Sequence, residues 1–346
     1  MDTRTTELLK DLPTKWVARP ATMDDIDGII DMMNARSQVL YGEDQVTRPD
    51  IEVWWKSLRF DPEKDLLVVL DANVDVAGIA NVGNPGEPYA QIGCAAVLHP
   101  SYAGHGGLWD ELNAWALRRA EEFVPLAPME IRVAALSSIA AQDEARRAGL
   151  ERAGFKAVRI ANHMRIELAL PIPAPCWPGT VRMRTVNLEQ DLRAIVSLYL
   201  EAWRDHWGFV EQPFERALSD WREGVESEGD RFDPSLWFLA VDGEDLVGMC
   251  LCNSHIAGDA TRGYVQGLGV RPAWRKRGIA LALLRHAFAE LQRRGYAAVE
   301  LDMDSENLTG ALRVYERAGM RAIRESVFFE KELRAGIDLA TRKLPM

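Results

Sequence analysis

Residues 268–280 read Leu268-Gly-Val-Arg-Pro-Ala-Trp-Arg-Lys-Arg-Gly-Ile-Ala280. The order is that of a strand, a stop and a helix start. Tyr264 to Val270 suits a strand and Pro272 ends it, while Leu281, Leu284, Phe288 and Leu291 recur at helical spacing. This predicts Arg275 to Gly278 as the first turn of a helix. The unpaired N–H groups of a first turn sit at the positive end of the helix dipole, and a glycine lets an anion approach the backbone. Arg275, Lys276 and Arg277 add positive charge where the dipole is already positive, which costs stability unless an anion is present. The segment therefore points to the cradling of a diphosphate. A solvated helix start with stray basic residues has the same local pattern.

A second group lies downstream: Asn307, Ala311, Tyr315, Gly319 and Met320. Arg275, Gly278 and Ala280 in the spacing Arg-x-x-Gly-x-Ala, followed by this group, resemble the signature of the GNAT superfamily of acyl-CoA-dependent N-acyltransferases. The resemblance covers roughly 180–334 well and 16–170 weakly. It implies acetyl-CoA as co-substrate, with Arg275, Lys276, Arg277, Gly278, Ile279 and Ala280 around its diphosphate. The strand through Leu268, Gly269 and Val270 should splay from its neighbour, so that the pantetheine arm pairs with the backbone of Leu268 and Val270. The Val270 N–H then faces the thioester carbonyl as an oxyanion donor. Asn307 contacts the CoA or a bound water, or caps the helix after it. Tyr315 stands where the family commonly places the acid that protonates the departing thiolate. It also completes an apolar helix face with Leu308, Ala311 and Leu312, and one tyrosine can serve both ends.

An amine of lysine-like pKa, about 10.4, must lose a proton before it attacks. Some family members carry a glutamate early in the strand before the cradle, but this chain has Tyr264, Val265 and Gln266 there. Glu300, Asp302 and Asp304 alternate with Val299, Leu301 and Met303, which places the three acids on one strand face. Glu300 and Asp302 are candidate bases, and a charge-paired face is the alternative. His255, in an expected loop, is another candidate near the acceptor. Of the aromatic residues between Tyr199 and Trp221, Trp207 and Phe209 are expected to face the acceptor, and ordinary helix packing accounts for the rest.

The elements that position these groups come in two echoing halves. Residues 171–178 hold four prolines in eight positions and mark a stiff linker. This predicts an arm (1–15), a degenerate GNAT-like domain (16–170), a proline-rich linker (171–179) and an intact acetyltransferase domain (180–346). Each half has a short strand, an amphipathic helix, two apolar runs joined by a turn, a strand ending in proline, a glycine-containing loop and a long helix. Asp242-Gly243 reads as a type I′ hairpin turn. Each half ends in Glu-Arg-Ala-Gly, at Glu151 and Glu316, where glycine caps a helix. The expected fold class is α/β, two tandem GNAT-like domains, each a mixed central sheet flanked by helices. In the first half Ala103 and Leu108 stand where Arg275 and Ala280 stand in the second, and Leu150 replaces Tyr315. That copy looks decayed: it binds CoA weakly, or only completes the other's pocket.

Bulk properties narrow the partners. The chain has 346 residues, 47% hydrophobic and 27% charged, which suits two soluble domains. A net charge of −11 argues against nucleic acid. No apolar run reaches the roughly 20 residues of a membrane span, and the first residues lack the apolar stretch of a signal peptide, so a cytoplasmic location is expected. Cys250 and Cys252 read as small core residues; nothing nearby completes a metal site, and no metal is expected. The partners are then an acyl-CoA and an amine, acting on a monomer or homodimer. The expected activity is acetyl transfer to the primary amine of a small acceptor by the C-terminal half. The alternative is a non-catalytic acyl-CoA-binding or interaction protein built from two such folds.

Overall fold

The computed structural model describes residues 9–10, 12–57, 59–229, 232–256, 259–305 and 310–342. It forms two compact units. The first contains Met1–Ile160 with Ser326–Leu339, and the second Ala161–Glu325 with Ala340–Met346. The proline-rich segment therefore lies inside the second unit rather than at the division. The physical reason is strand pairing: each unit's sheet is completed by a strand from the end of the other half of the sequence.

In chain order the first unit begins with β1 (Val17–Pro20), α1 (Ile26–Tyr41), α2 (Arg48–Trp55), α3 (Pro62–Asp65), β2 (Leu66–Leu70), β3 (Val76–Gly83) and β4 (Gln91–Leu98). It continues with α4 (Gly106–Glu121), β5 (Val133–Ala140), α5 (Glu144–Arg152) and the first residues of β6 (Lys156–Glu167). Strands β1 to β4 pair antiparallel, β4 and β5 pair parallel, and Ser326–Arg334 closes the sheet antiparallel to β5. Strand β2 is buried on both faces. Leu66, Val68 and Leu70 pack with Ile26, Ile29 and Met32 of α1, and Leu67 and Val69 pack on the side of Leu108, Trp109 and Leu112 of α4. A strand covered by helices on both faces reads as a continuous apolar run, as Leu66–Leu70 does.

The second unit repeats the plan with β7 (Arg182–Thr185), α6 (Leu188–Trp203), α7 (Phe214–Glu228), β8 (Trp237–Asp242), β9 (Asp245–Asn253) and β10 (Arg262–Val270). There follow α8 (Ile279–Arg293), β11 (Ala298–Asp304), α9 (Ala311–Ala318) and β12 (Arg321–Arg334), whose last residues belong to the first unit. Here β10 and β11 are the parallel pair, and Ala161–Glu167 of β6 runs antiparallel to β11. Trp237, Leu239, Met249 and Leu251 face α6, whereas Phe238, Ala240, Cys250 and Cys252 face α8. Both thiols are core residues, with sulfurs 3.8 Å apart. In the β8–β9 turn only Gly243 takes a positive φ, of 60°, so the expected type I′ turn, which needs two such residues, does not form. No helix among the described residues is long and apolar enough to cross a membrane.

The repeat extends to the helix starts. Arg19 grips Asp25 with two bonds of 2.7 Å, and Asp25 accepts the Thr22 N–H at 2.7 Å. Arg184 grips Asp191 at 2.6 and 2.7 Å, and Asp191 accepts the Asn187 N–H at 2.7 Å. Counting from those aspartates aligns the buried stripe of α1, Ile29, Met32 and Arg36, with Ile195, Leu198 and Ala202 of α6.

Candidate active site

Strand β10 supplies the edge of the site. It pairs with β11 only from Arg262 to Tyr264, yet runs on to Val270 while β11 runs on to Asp304. Its register against β9 slips between Val265 and Gly267, so Gln266 is a bulge two residues past the last one paired with β11. A bulge bends its strand and ends regular pairing, which opens the gap between β10 and β11. Arg271 donates its N–H to the Val247 carbonyl at 3.0 Å, and Val270 stands opposite Gly248. Facing pairs in an antiparallel ladder alternate between bonded and unbonded, so Val270 and Leu268 turn their N–H and C=O groups away from β9 toward the gap. Gly269 holds the other face. A Cβ there would meet the Trp203 ring at 2.6 Å, so glycine lets Trp203 approach the strand closely.

The loop after β10 differs from the expected first helical turn over Arg275 to Gly278. Pro272–Trp274 make one tight turn, Arg275 is extended, and Gly278 caps α8 at φ 88°, so the helix begins at Ile279. Glycine is required at 278 by that φ, and a Cβ there would project into open space. The first intrahelical bond runs from the Ala282 N–H to the Gly278 carbonyl at 3.0 Å. The N–H groups of Ile279, Ala280 and Leu281 are thus the unpaired first-turn donors, and all three residues line a cavity of about 430 Å³. Arg275 does not join them as an anion contact. Its guanidinium is bound to Asp205 at 2.6 Å, to the Ala202 carbonyl at 3.0 Å and to the Val270 carbonyl at 3.2 Å. It ties the end of α6 to the end of β10. Arg277 stacks over Trp274 at 4.6 Å and donates to the Ala273 carbonyl, which leaves Lys276 as the cradle's cavity-lining cation besides the bound Arg275.

The same cavity is lined by Leu268, Gly269 and Val270, by Ala202 and His206 from the end of α6, and by Tyr315 of α9. Tyr315 packs its ring on the core under α8, and burial pushes its phenol well above the usual range, so it keeps its proton. His206 lies beside the Trp203 ring, with centroids 5.2 Å apart. Its position at a helix end among aromatic residues reads as packing, and the sequence carries no signal that it lines the same cavity as β10.

The expected acids form a separate cluster. Glu300 is fully buried and binds His163 at 2.6 Å, Arg165 at 2.5 Å and Arg262 at 3.3 Å. Asp302 binds the other nitrogen of His163 at 2.8 Å and accepts the Tyr264 hydroxyl at 2.8 Å. Neither lines the cavity. Burial alone would raise both carboxyls, but the bonds and charge of His163, joined by Arg165 at Glu300 and by the Tyr264 hydroxyl at Asp302, together outweigh it and hold both below their usual range. Burial would lower His163, yet its bonds to Asp302 and Glu300 carry it up to about 9. A raised histidine stabilises the fold below its ordinary value near 6.5, and that stabilisation is lost as pH climbs through about 9. The lowered carboxyls contribute above their ordinary values and lose it on acidification. The melting temperature should therefore fall between about pH 7 and 10, and His163→Gln should melt lower at neutral pH with a shallower alkaline fall. Equal slopes in thermal melts of the two proteins would contradict this.

Trp207 and Phe209 do not line the cavity either. The Arg342 guanidinium stacks on Trp207 at 5.0 Å, and the Phe209 carbonyl accepts the Thr341 N–H at 2.8 Å, so the tail straps this loop. His255 lies near the Ser254 hydroxyl, 3.4 Å away, also off the cavity. Asn307 and Leu308 lie outside the described residues.

Residues 192–320 match the acetyltransferase (GNAT) family. A crystal structure of a GCN5-related N-acetyltransferase from Sphaerobacter thermophilus is 33% identical, with a TM-score of 0.80, over 95% of this chain and 99% of that one. The chain belongs to the GCN5-related N-acetyltransferase family. A tandem GNAT protein from the clavulanic acid biosynthesis pathway shares the fold at 16% identity and a TM-score of 0.69, over 93% of this chain and 99% of that one. A mycothiol acetyltransferase of Thermobispora bispora is 33% identical over 174 residues, 48% of this chain and 55% of that protein. The match thus spans about half the length of that curated relative.

This GNAT chain carries the same gap in its first unit, filled by its own residues. Strands β4 and β5 pair only over Gln91–Gly93 and then part. Arg36 of α1 reaches across, donates to the Leu98 carbonyl at 3.2 Å, and forms a doubly bonded ion pair with Asp143 before α5. Its guanidinium also covers the Trp109 ring. Leu98 corresponds to Val270, so a guanidinium meets the same carbonyl in both units, but from different elements. In the second unit Arg275 comes from the loop and Ala202 leaves room. In the first, Ala103 replaces the loop arginine and Arg36 occupies the room. Leu150, in place of Tyr315, is buried core.

Proposed function

We propose that the second unit transfers an acetyl group from acetyl-CoA to the primary amine of a small acceptor, and that the first unit binds no CoA. The observation that carries this reading is one cavity bordered by an unpaired strand edge, the free N–H groups of a helix start and a half-buried phenol. The free N–H groups of Ile279, Ala280 and Leu281 hold the diphosphate, with Lys276 at its rim. Leu268 and Val270 hold the pantetheine as an added strand. The Val270 N–H faces the carbonyl oxygen that gains charge as the amine adds, and in a dry site such a donor is worth about 10²–10³ in rate. Tyr315, kept protonated by burial, gives its proton to the departing sulfur. Arg275 fixes the carbonyl side of Val270 and so the direction of its N–H.

The family and the Thermobispora relative favour an amine acceptor, and a mycothiol-type precursor amine belongs in the first panel tested. Release of CoA thiol from acetyl-CoA against a broad panel of amines tests the reading. Turnover with at least one small amine is expected, and Tyr315→Phe should slow it about 100-fold while CoA still binds. Tight CoA binding with no turnover on any amine would favour the non-catalytic alternative.

A further inference from the structure

We propose that His206 is the base that takes the proton from the acceptor amine. This rests on the acetyltransferase reading and assigns the role that the strand acids do not fill. Glu300 is closed in by three cationic groups, and Asp302 is held by His163 and Tyr264, both away from the cavity. His206 lines the cavity together with Leu268, Val270 and Tyr315. Its ring packs tilted by 32° against that of Trp203, which in turn closes on Gly269. Among the described residues its side chain makes no hydrogen bond, so its nitrogens are not committed to another group.

The charged groups around it are Asp205 beside it, Arg275 from the loop before α8, and Asp304 at the end of β11. Burial and the Arg275 charge push the imidazole below its usual range and outweigh the two carboxylates, so it is neutral and able to accept a proton at neutral pH. Tyr315, lining the same cavity, is pushed the opposite way. Two titratable groups driven apart in one site are the arrangement that separates a base from an acid.

The acceptor arrives as an ammonium and gives one proton to the His206 imidazole. The freed nitrogen lone pair bonds to the thioester carbon, and the C–S bond breaks with its electron pair going to sulfur. Tyr315 supplies the proton that makes the thiol and recovers one from the nitrogen as it becomes an amide. The imidazolium releases its proton to solvent. The net products are the acetamide, CoA thiol and one proton.

The test uses the full chain and whichever amine the wild-type protein turns over. His206→Gln keeps the size and polarity but removes the basicity, and His206→Ala opens a space for added imidazole. Both should lower kcat about 100-fold or more with CoA affinity held within about twofold, and imidazole should restore part of the His206→Ala rate. In the wild type, kcat should fall on the acid side below about pH 6.5, and that limb should vanish in His206→Gln. Equal kcat and an unchanged acid limb in His206→Gln would overturn the proposal and leave the acetyltransferase reading standing. If neither variant binds CoA, the wild-type profile decides: a kcat flat from about pH 8 to 5 overturns it. A wild type that turns over no amine overturns the reading and the proposal together.

Discussion

Ala202→Arg is expected to abolish CoA binding while the protein stays folded. The substitution copies into the second unit the residue that closes the first. Arg36 and Ala202 hold the same place on the buried stripe of α1 and α6, anchored by the equivalent pairs Arg19–Asp25 and Arg184–Asp191. In the first unit the guanidinium at this place reaches the Leu98 carbonyl. In the second the corresponding carbonyl, that of Val270, borders the cavity that Ala202 lines. A long cationic side chain can extend into about 430 Å³ of open volume without displacing the core. It would occupy the gap between β10 and β11 and meet the backbone groups that the pantetheine needs. Affinity should drop by at least 100-fold, roughly 3 kcal/mol, in a calorimetric titration with CoA. An unchanged affinity in a folded Ala202→Arg protein would mean that CoA does not lie along this strand edge.

The second large effect belongs to stability. The Arg36–Asp143 pair is nearly closed to solvent, with side-chain exposures of 10% and 3%. Asp143 also accepts the Arg146 N–H at 3.1 Å and so caps α5. Burial pushes the Arg146 guanidinium down to about 10, against the pull of Asp143. Arg36→Ala leaves Asp143 buried without its partner, and removing one member of such a pair costs about 3–5 kcal/mol. Denaturant unfolding followed on the first unit should register that loss. The double change Arg36→Met with Asp143→Leu should recover much of it, because a packed apolar pair needs no solvation. A loss under about 1 kcal/mol in Arg36→Ala would show that water reaches the pair.

The repeated plan was legible in the sequence because each of its signals is local: alternating strands, helical stripes, a proline after each fourth strand, a glycine after each last helix. The long helix after Gly278 was legible for the same reason, with its glycine and its apolar stripe within a few residues of each other, although it begins at Ile279 rather than at Arg275. Legibility ended where a partner lies far along the chain. Arg275 looks like an anion ligand until Asp205 and the Ala202 carbonyl, some 70 residues earlier, turn it inward. Glu300 and Asp302 were placed on one face by alternation, but His163 and Arg165 on the opposite strand make that face a charge-paired cluster. The strands completing each sheet gave no local sign either, since Ser326–Arg334 alternates as any strand does and its partner is Val133–Ala140. His206 reads as helix packing because an imidazole at a helix end has no spacing signature, and only the fold brings it to the cavity that Val270 and Tyr315 also line.

In the proposed site, one strand edge and one helix start of the second unit hold the whole donor. A crystal structure with CoA bound tests it most directly. One CoA per chain is expected, with its diphosphate on the N–H groups of Ile279 to Leu281, its amides paired with Leu268 and Val270, and its sulfur within hydrogen-bond reach of the Tyr315 hydroxyl. A CoA bound between β4 and β5 of the first unit, with the Arg36–Asp143 pair broken, would contradict it.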